Sequence, residues 1–239
     1  MKLFPSIFLS AIGLLTLAVA GFGFTNNLAT PIESKQVESR TVDSFDKIEI
    51  GGSFEVIIQK GPQSAIQLEG NNLENVKLEV KNSTLSIGFE KDNWKNPSVE
   101  VRLTVPELYA ISLAGSSTVI ADGPFGNEKT LNLEIAGSGN MMIEVNAKEL
   151  VAGIAGSGSL TCVGKADEIS VDIAGSGDYN GKELKGRIGK VSIAGSGDTD
   201  IYTSEKCWVE VAGSGRVHVY GNPEQLKESI AGSGSVKRK

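Results

Sequence analysis

Hydrophobic and polar residues alternate in short runs along the chain from Thr41 onward. Runs such as Phe54–Gln59 and Leu85–Phe89 place an apolar side chain at every second position, which is the period of a β-strand. Turn-forming Gly, Pro and Asn residues separate many of these runs. Only Asn222–Lys227 is compatible with a helical turn. The pattern therefore predicts an all-β protein.

One phrase recurs in the second half of the chain: an apolar residue, then Ala-Gly-Ser, usually closed by a second Gly. The steps between successive alanines are 22, 19, 19, 20, 18 and 19 residues, at Ala114, Ala136, Ala155, Ala174, Ala194, Ala212 and Ala231. A fixed period of this length is typical of a solenoid, whose coils bury apolar surface on their neighbours. Parallel crossovers are nearly always right-handed. We therefore predict a right-handed parallel β-helix with coils of roughly 19 residues.

The repeats also predict which side chains face inward. With each alanine at position 0, positions −5, −3, −1, +5 and +7 are mostly apolar, so one parity points into the coil. The glycines at +1 and +3 share that parity. We expect them inside a tight corner, where a side chain would collide with the opposite wall. Ser117 replaces the second Gly of the first turn, and we expect a looser bend there.

The repeats divide the chain into segments. Residues 111–239 are assigned to regular coils. Residues 41–110 lack the Ala-Gly-Ser phrase but have strands of similar spacing, so they are either irregular early coils, which we favour, or a β cap. We expect residues 41–239 to form one continuous domain. Residues 21–40 show no periodicity and are interpreted as a linker.

Residues 1–20 have the features of a secretory signal peptide. Lys2 precedes an apolar stretch, and Ala18-Val19-Ala20 is a small-x-small cleavage site. An uncleaved membrane anchor is the alternative, because the apolar character continues through Phe22 and Phe24 and about 20 residues span a bilayer. We expect an exported protein of the periplasm, the outer cell surface or the extracellular space, whose membrane contact is limited to this segment.

Several runs resemble a known family. They are Phe45–Val56 (FDKIEIGGSFEV), Val101–Leu108 (VRLTVPEL) and the recurring Gly-Ser-Gly turns. Together these are similar to the putative auto-transporter adhesin, head GIN domain family of secreted bacterial proteins, over about residues 41–236. The resemblance implies a right-handed β-helix akin to pectin-lyase folds, without the catalytic residues of those enzymes, and a role in adhesion. It assigns no functional residue.

Charge and cysteine placement narrow the possible partners and chemistry. The formal net charge of −6 argues against a nucleic-acid partner, which calls for a basic face. Cys162 and Cys207 both fall on inward parity, about two coils apart. Two coils correspond to roughly 10 Å, which is too far for a disulfide. We expect both to be small buried hydrophobic residues.

The candidate binding site is an outward polar patch after the Gly-Ser-Gly turns, at positions +4 and +6. Its members are Asp178, Asn180, Asp198, Asp200, Arg216 and His218. It could form a weak Ca²⁺ site, a sugar-binding face or a carboxylate pair for glycan cleavage. The favoured alternative is that Asp and Asn simply suit residues after a turn.

Two further features bear on the chemistry. His218 is the only histidine, so no His-based triad or multi-His metal site is available, and no catalytic residue, metal or cofactor is predicted. Trp208 lies on outward parity, where its ring could stack on sugars or partner surfaces, or pack under a loop.

The sequence is compatible with three functions. The first is a non-enzymatic cell-envelope or secreted solenoid that binds a surface ligand, glycan or protein, through its outward polar faces. The second is a glycan-active enzyme of pectin-lyase-like architecture. The third is a structural periplasmic scaffold. A homo-oligomer is compatible with each.

Overall fold

The computed structural model describes residues 35–90 and 99–239; the predicted signal peptide lies outside these residues. Their strands in the first part of the chain are β1 (Gln36–Arg40), β2 (Lys47–Gly52), β3 (Phe54–Lys60), β4 (Ile66–Gly70), β5 (Val76–Lys81), β6 (Thr84–Phe89), β7 (Val99–Val105), β8 (Ala110–Gly115) and β9 (Thr118–Phe125). A 3₁₀ turn, Leu73–Asn75, precedes β5.

The second part continues with β10 (Thr130–Gly137), β11 (Asn140–Gly156), β12 (Ser159–Gly175), β13 (Asp178–Gly181), β14 (Leu184–Gly195), β15 (Asp198–Tyr202), β16 (Lys206–Gly213), β17 (Arg216–Tyr220), β18 (Gln225–Gly232) and β19 (Ser235–Arg238). The structure is a β-solenoid of about 7 turns of roughly 19 residues, which confirms the predicted fold class. The helical turn considered for residues 222–227 is wrong, because β18 begins at Gln225.

Each regular coil contributes strands to two faces. Face A carries β8, β10, the second halves of β11 and β12, β14, β16 and β18 in parallel register. Face B carries β9, the first halves of β11 and β12, β13, β15, β17 and β19. The Gly-Ser-Gly turns form one corner between the faces. The bend near Ala147–Lys148 and its equivalents forms the other, here called the second corner.

The first coils do not stack in chain order. β2 pairs with both β6 and β8, while β3 pairs with both β7 and β9. The coil of β6 and β7 therefore lies outside the coil of β2 and β3. The chain then returns past that earlier coil to start β8. Residues 41–110 thus supply two parallel coils in addition to the antiparallel strands β4 and β5.

Antiparallel strands cover this end of the solenoid. β4 pairs with β7, β1 pairs with β4, and β5 pairs with β6. The predicted linker at 21–40 is therefore wrong at its C-terminal end, because Gln36–Arg40 is a strand. The Arg40 guanidinium fixes it by donating to the Leu73 carbonyl at 2.7 Å and to the Val76 carbonyl. These bonds tie β1 to carbonyl oxygens of the 3₁₀ turn and of the first residue of β5.

The inward parity predicted from the repeats is confirmed by burial. Ile135, Ile154, Leu160 and Val171 are each at most 2% exposed. Cys162 and Cys207 are buried and free, as expected. Burial raises the pKa of both thiols, that of Cys207 to about 11. They contribute packing rather than reactive thiolates.

The corner glycines are required sterically, although the obstacle is not the opposite wall. A Cβ on Gly156, whose φ is +123°, would lie 2.4 Å from the carbonyl oxygen of Gly137 in the preceding coil. A Cβ on Gly158 would lie 2.5 Å from Ile135 Cγ2. Adjacent coils stand about 4.8 Å apart. The neighbouring coil therefore excludes side chains at both positions.

Ser117 anchors the first turn through its side chain. Its buried hydroxyl accepts a hydrogen bond from the Phe54 backbone N–H at 3.0 Å and donates to the Gly52 carbonyl at 3.1 Å. The side chain thus bonds the turn to the preceding coil in the stack. A serine fits at this corner because it satisfies both backbone groups.

Candidate functional site

The six polar residues of the predicted patch lie together on face B. They occupy neighbouring strands, Asp178 and Asn180 on β13, Asp198 and Asp200 on β15, and Arg216 and His218 on β17. The strand register places Asp198 opposite Arg216 and Asp200 opposite His218. We call these six residues the face B patch.

The charges of the face B patch are largely paired with one another. Arg216 forms a two-pronged ion pair with Asp198, with Nε at 2.9 Å from Oδ1. Hydrogen bonding from Arg216 lowers the pKa of the Asp198 carboxyl. His218 Nδ1 lies 2.9 Å from Asp200 Oδ1. Asp178 Oδ1 accepts the Asp198 backbone N–H at 3.2 Å. The Arg216 guanidinium from the next coil thus offsets the repulsion between stacked carboxylates.

Trp208 does not join the face B patch. It lies on β16 of face A, 37% exposed, in register with Lys190 on one side and Lys227 on the other. An aromatic ring between two lysines of the same row is a separate surface feature. Any ligand that uses both Trp208 and the patch would have to reach around the solenoid.

Face A carries a shallow apolar trough along the alanine row. Two adjoining depressions of about 460 and 390 Å³ share Glu134 and Ala136 in their lining. The row beside the alanines alternates acidic and small residues from coil to coil: Glu49, Ser112, Glu134, Gly153, Asp172, Ser192 and Glu210. The alternation doubles the spacing between carboxylates, which weakens their repulsion.

A third concave surface lies at the second corner. It has a volume of about 450 Å³ and is lined mainly by basic and small residues. The longer side chains of the lining include Asn146, Lys148, Lys165, Lys185, Arg187 and Tyr202. We call it the corner groove. The lysines of the corner groove do not align by their distance from the preceding alanine, because the coils differ in length beyond the turn. Counting backward from the following alanine aligns Asn146, Lys165 and Lys185 at one position.

Across residues 35–90 and 99–239, no group of three or more His, Cys, Asp or Glu side chains is placed to hold a metal ion. In the same part of the chain, no helix has the length and apolar character needed to cross a membrane.

The comparisons with known proteins agree with this geometry. The family model for the putative auto-transporter adhesin, head GIN domain, matches residues 44–223. The chain belongs to this family. The family's description indicates an adhesin-like protein, and the resemblance seen in the sequence is confirmed. No curated protein matches the chain.

Solved structures share the fold. A putative adhesin from Bacteroides fragilis is 24% identical, with a TM-score of 0.79, covering 87% of this chain and 99% of that one. A putative lipid binding protein from Parabacteroides distasonis is 22% identical, with a TM-score of 0.70 and coverage of 87% and 98%. A putative adhesin from Parabacteroides merdae is 18% identical, with a TM-score of 0.69 and coverage of 87% and 97%. At these identities the likeness concerns the fold.

Proposed function

We propose that this protein is a non-enzymatic, adhesin-like β-solenoid, exported to the cell envelope or secreted, that binds a glycan or protein through its outward polar faces. Membership of the adhesin head GIN domain family is the observation that carries the proposal. The fold supports it physically, because stacked coils hold outward side chains in fixed rows along an extended surface.

The pairing of Asp198 with Arg216 favours binding over catalysis at this carboxylate. Asp198 is held ionised by Arg216, which lowers its pKa. A glycosidase of the common type needs one carboxyl group with a raised pKa to act as the general acid. A rigid, prepaired set of charges and amides suits recognition of a polar partner instead.

The test is a binding and turnover measurement on the full-length protein. Glycan arrays, immobilised bacterial and host cell surfaces, and neutral lipid vesicles cover the ligand classes, the last because one structural neighbour is described as lipid binding. We expect binding to a glycan or protein surface without turnover. Asp200→Asn combined with Arg216→Gln should weaken it at least tenfold, whereas Glu210→Gln on face A serves as the matched control.

Two results would contradict the proposal. One is depolymerisation of a polysaccharide that Asp178→Ala or Asp198→Ala abolishes, which would select the enzyme. The other is absence of binding to every surface tested, which would favour a structural scaffold. Equal loss in the patch variant and the Glu210→Gln control would place the contact away from face B.

A further inference from the structure

The corner groove has a floor of small residues and walls of longer polar ones. Ala147, Ala166 and Gly186 line it in successive coils. Gly186 has no room for a side chain, because a Cβ there would lie 2.5 Å from Ile169 Cδ1 and 3.1 Å from the Tyr202 carbonyl oxygen. The depression is therefore built into the backbone path. Its volume of about 450 Å³ lies within the roughly 300–1,000 Å³ range of small-molecule sites.

The groove gathers positive charge in a chain whose formal net charge is −6. Four cationic residues, Lys148, Lys165, Lys185 and Arg187, line it together with two carboxylates, Glu128 and Asp167. Two of the cations already have carboxylate partners, since Lys165 Nζ lies 3.7 Å from Glu128 Oε1 and Arg187 Nε lies 2.8 Å from Glu205 Oε1.

The other two cations are available to a ligand. Lys148 makes no ion pair among the described residues. Lys185 has its Nζ over the Tyr202 ring, 3.9 Å from the centroid, a contact that holds the ammonium at the wall while leaving its hydrogen-bond donors open. The groove therefore offers two ammonium groups to an anionic ligand, carried on coils that are separated by the coil of Ala166.

Acceptor atoms also belong to the residues that line the groove. Asn146 lines it, and its Oδ1 atom is buried without a hydrogen-bond partner in the described part of the chain. A buried acceptor without a hydrogen-bond partner is unfavourable. Asp167 adds exposed carboxylate oxygens on the same lining. A matching ligand carries hydroxyl donors as well as negative charge.

We propose that the corner groove binds an acidic oligosaccharide, in which carboxylates of different sugar units contact Lys148 and Lys185 and hydroxyls donate to Asp167. The mixed lining favours this class over polyphosphates and nucleic acids, because carboxylates in the wall repel phosphates that carry no compensating donors. An acidic peptide matches the ammonium groups but supplies fewer hydroxyl donors. The corner groove is separate from the face B patch. The proposal for the groove is therefore tested independently of the proposed function.

The experiment compares tri-galacturonate with its fully methyl-esterified form, using calorimetric titration of the full-length protein. The ester keeps the ring hydroxyls and removes the charge. We expect measurable binding of tri-galacturonate and at least tenfold weaker binding of the ester. Lys148→Gln combined with Lys185→Gln should weaken tri-galacturonate binding at least tenfold. Lys190→Gln, an exposed lysine on face A, is the matched control and should leave it unchanged.

A second variant separates recognition from folding. Ser204→Asp places a carboxylate on an exposed residue of the groove lining, and it should weaken tri-galacturonate binding severalfold more than binding of the ester. Asn132→Asp on face A is its control. The proposal is overturned if the acid and the ester bind alike, if neither binds, or if the double lysine variant binds like the control. Tighter binding of tri-glutamate than of tri-galacturonate would assign the groove to acidic peptides instead.

Discussion

Gly156 and Gly51 show that the need for glycine differs between positions of the repeat. Gly156 has a φ of +123° and a neighbouring carbonyl oxygen 2.4 Å from the place of a Cβ. Gly51 has open space around that place and stands in register with Ala114. The first glycine is fixed by the backbone path, whereas the second merely occupies a position where other coils carry alanine.

We expect Gly156→Ala to lower the free energy of unfolding by about 2–4 kcal/mol, because it combines an unfavourable backbone conformation with a backbone clash. Gly51→Ala should change it by less than about 1 kcal/mol or raise it slightly, since alanine restricts the unfolded chain. Urea unfolding followed by circular dichroism measures both. Equal effects of the two substitutions would contradict the steric account.

The buried thiol of Cys207 makes stability depend on alkaline pH. Burial raises its pKa from 9.0 to about 11, so the folded state keeps a proton that the unfolded state loses. The thiol's contribution is therefore fully present below pH 9 and is lost as pH rises towards 11. Cys207→Ala should flatten the fall in unfolding free energy over that interval. Denaturant titrations at pH 8, 9.5 and 11 compare the slopes, and parallel slopes would refute this assignment.

At the scale of elements, strand type and inward parity follow from the sequence because both depend on local period. The stacking order does not. β6 and β7 lie outside β2 and β3, an arrangement set by which edges meet in the folded chain. The sequence pattern also does not predict β1, because QVESR shows no apolar alternation. Its position depends on the Arg40 bonds to carbonyls distant in sequence.

Arg40 is accordingly expected to hold the antiparallel cap together. Arg40→Ala removes a charged donor from two backbone oxygens, a change worth about 1–3 kcal/mol. The loss should appear locally, as faster amide hydrogen exchange in β1 and β4, with β12 and β14 unaffected. Lys35→Ala is the control, because its ion pair with Glu69 is exposed and such pairs contribute little. Uniform acceleration in every strand would show that the cap and the coils open together.

The placement of the candidate residues follows from the sequence in part, for a related reason. The face B patch lies where counting forward from the alanines places it, because the turn before it has a constant length. The corner groove lies beyond the point where coils differ by a residue, so its lysines fall out of alignment. The ion pair between Asp198 and Arg216 does not follow from the sequence, because the partner of an exposed side chain depends on its conformation.

At the scale of the whole molecule, the two ends of the solenoid differ. Antiparallel strands cover one end, whereas β18 and β19 at the other are paired on one side only within the described residues. Glu228 lies there in the row that is apolar and buried in the preceding coils, opposite Val209. An inward-pointing charge on an edge strand discourages pairing with another chain.

We therefore expect Glu228→Val to promote end-to-end association of copies. The substitution extends the apolar row next to Ile230, which is already 41% exposed, and removes the charge that a stacked partner would have to bury. Light scattering coupled to size-exclusion chromatography, run over a range of concentrations, should show a higher mass for this variant than for the unmodified chain. Ser229→Val adds similar apolar surface on outward parity of the same strand and should not raise the mass. A mass for Glu228→Val equal to that of the unmodified chain at every concentration would mean that features other than this carboxylate, such as the basic Lys237–Lys239 run, keep the edge unpaired.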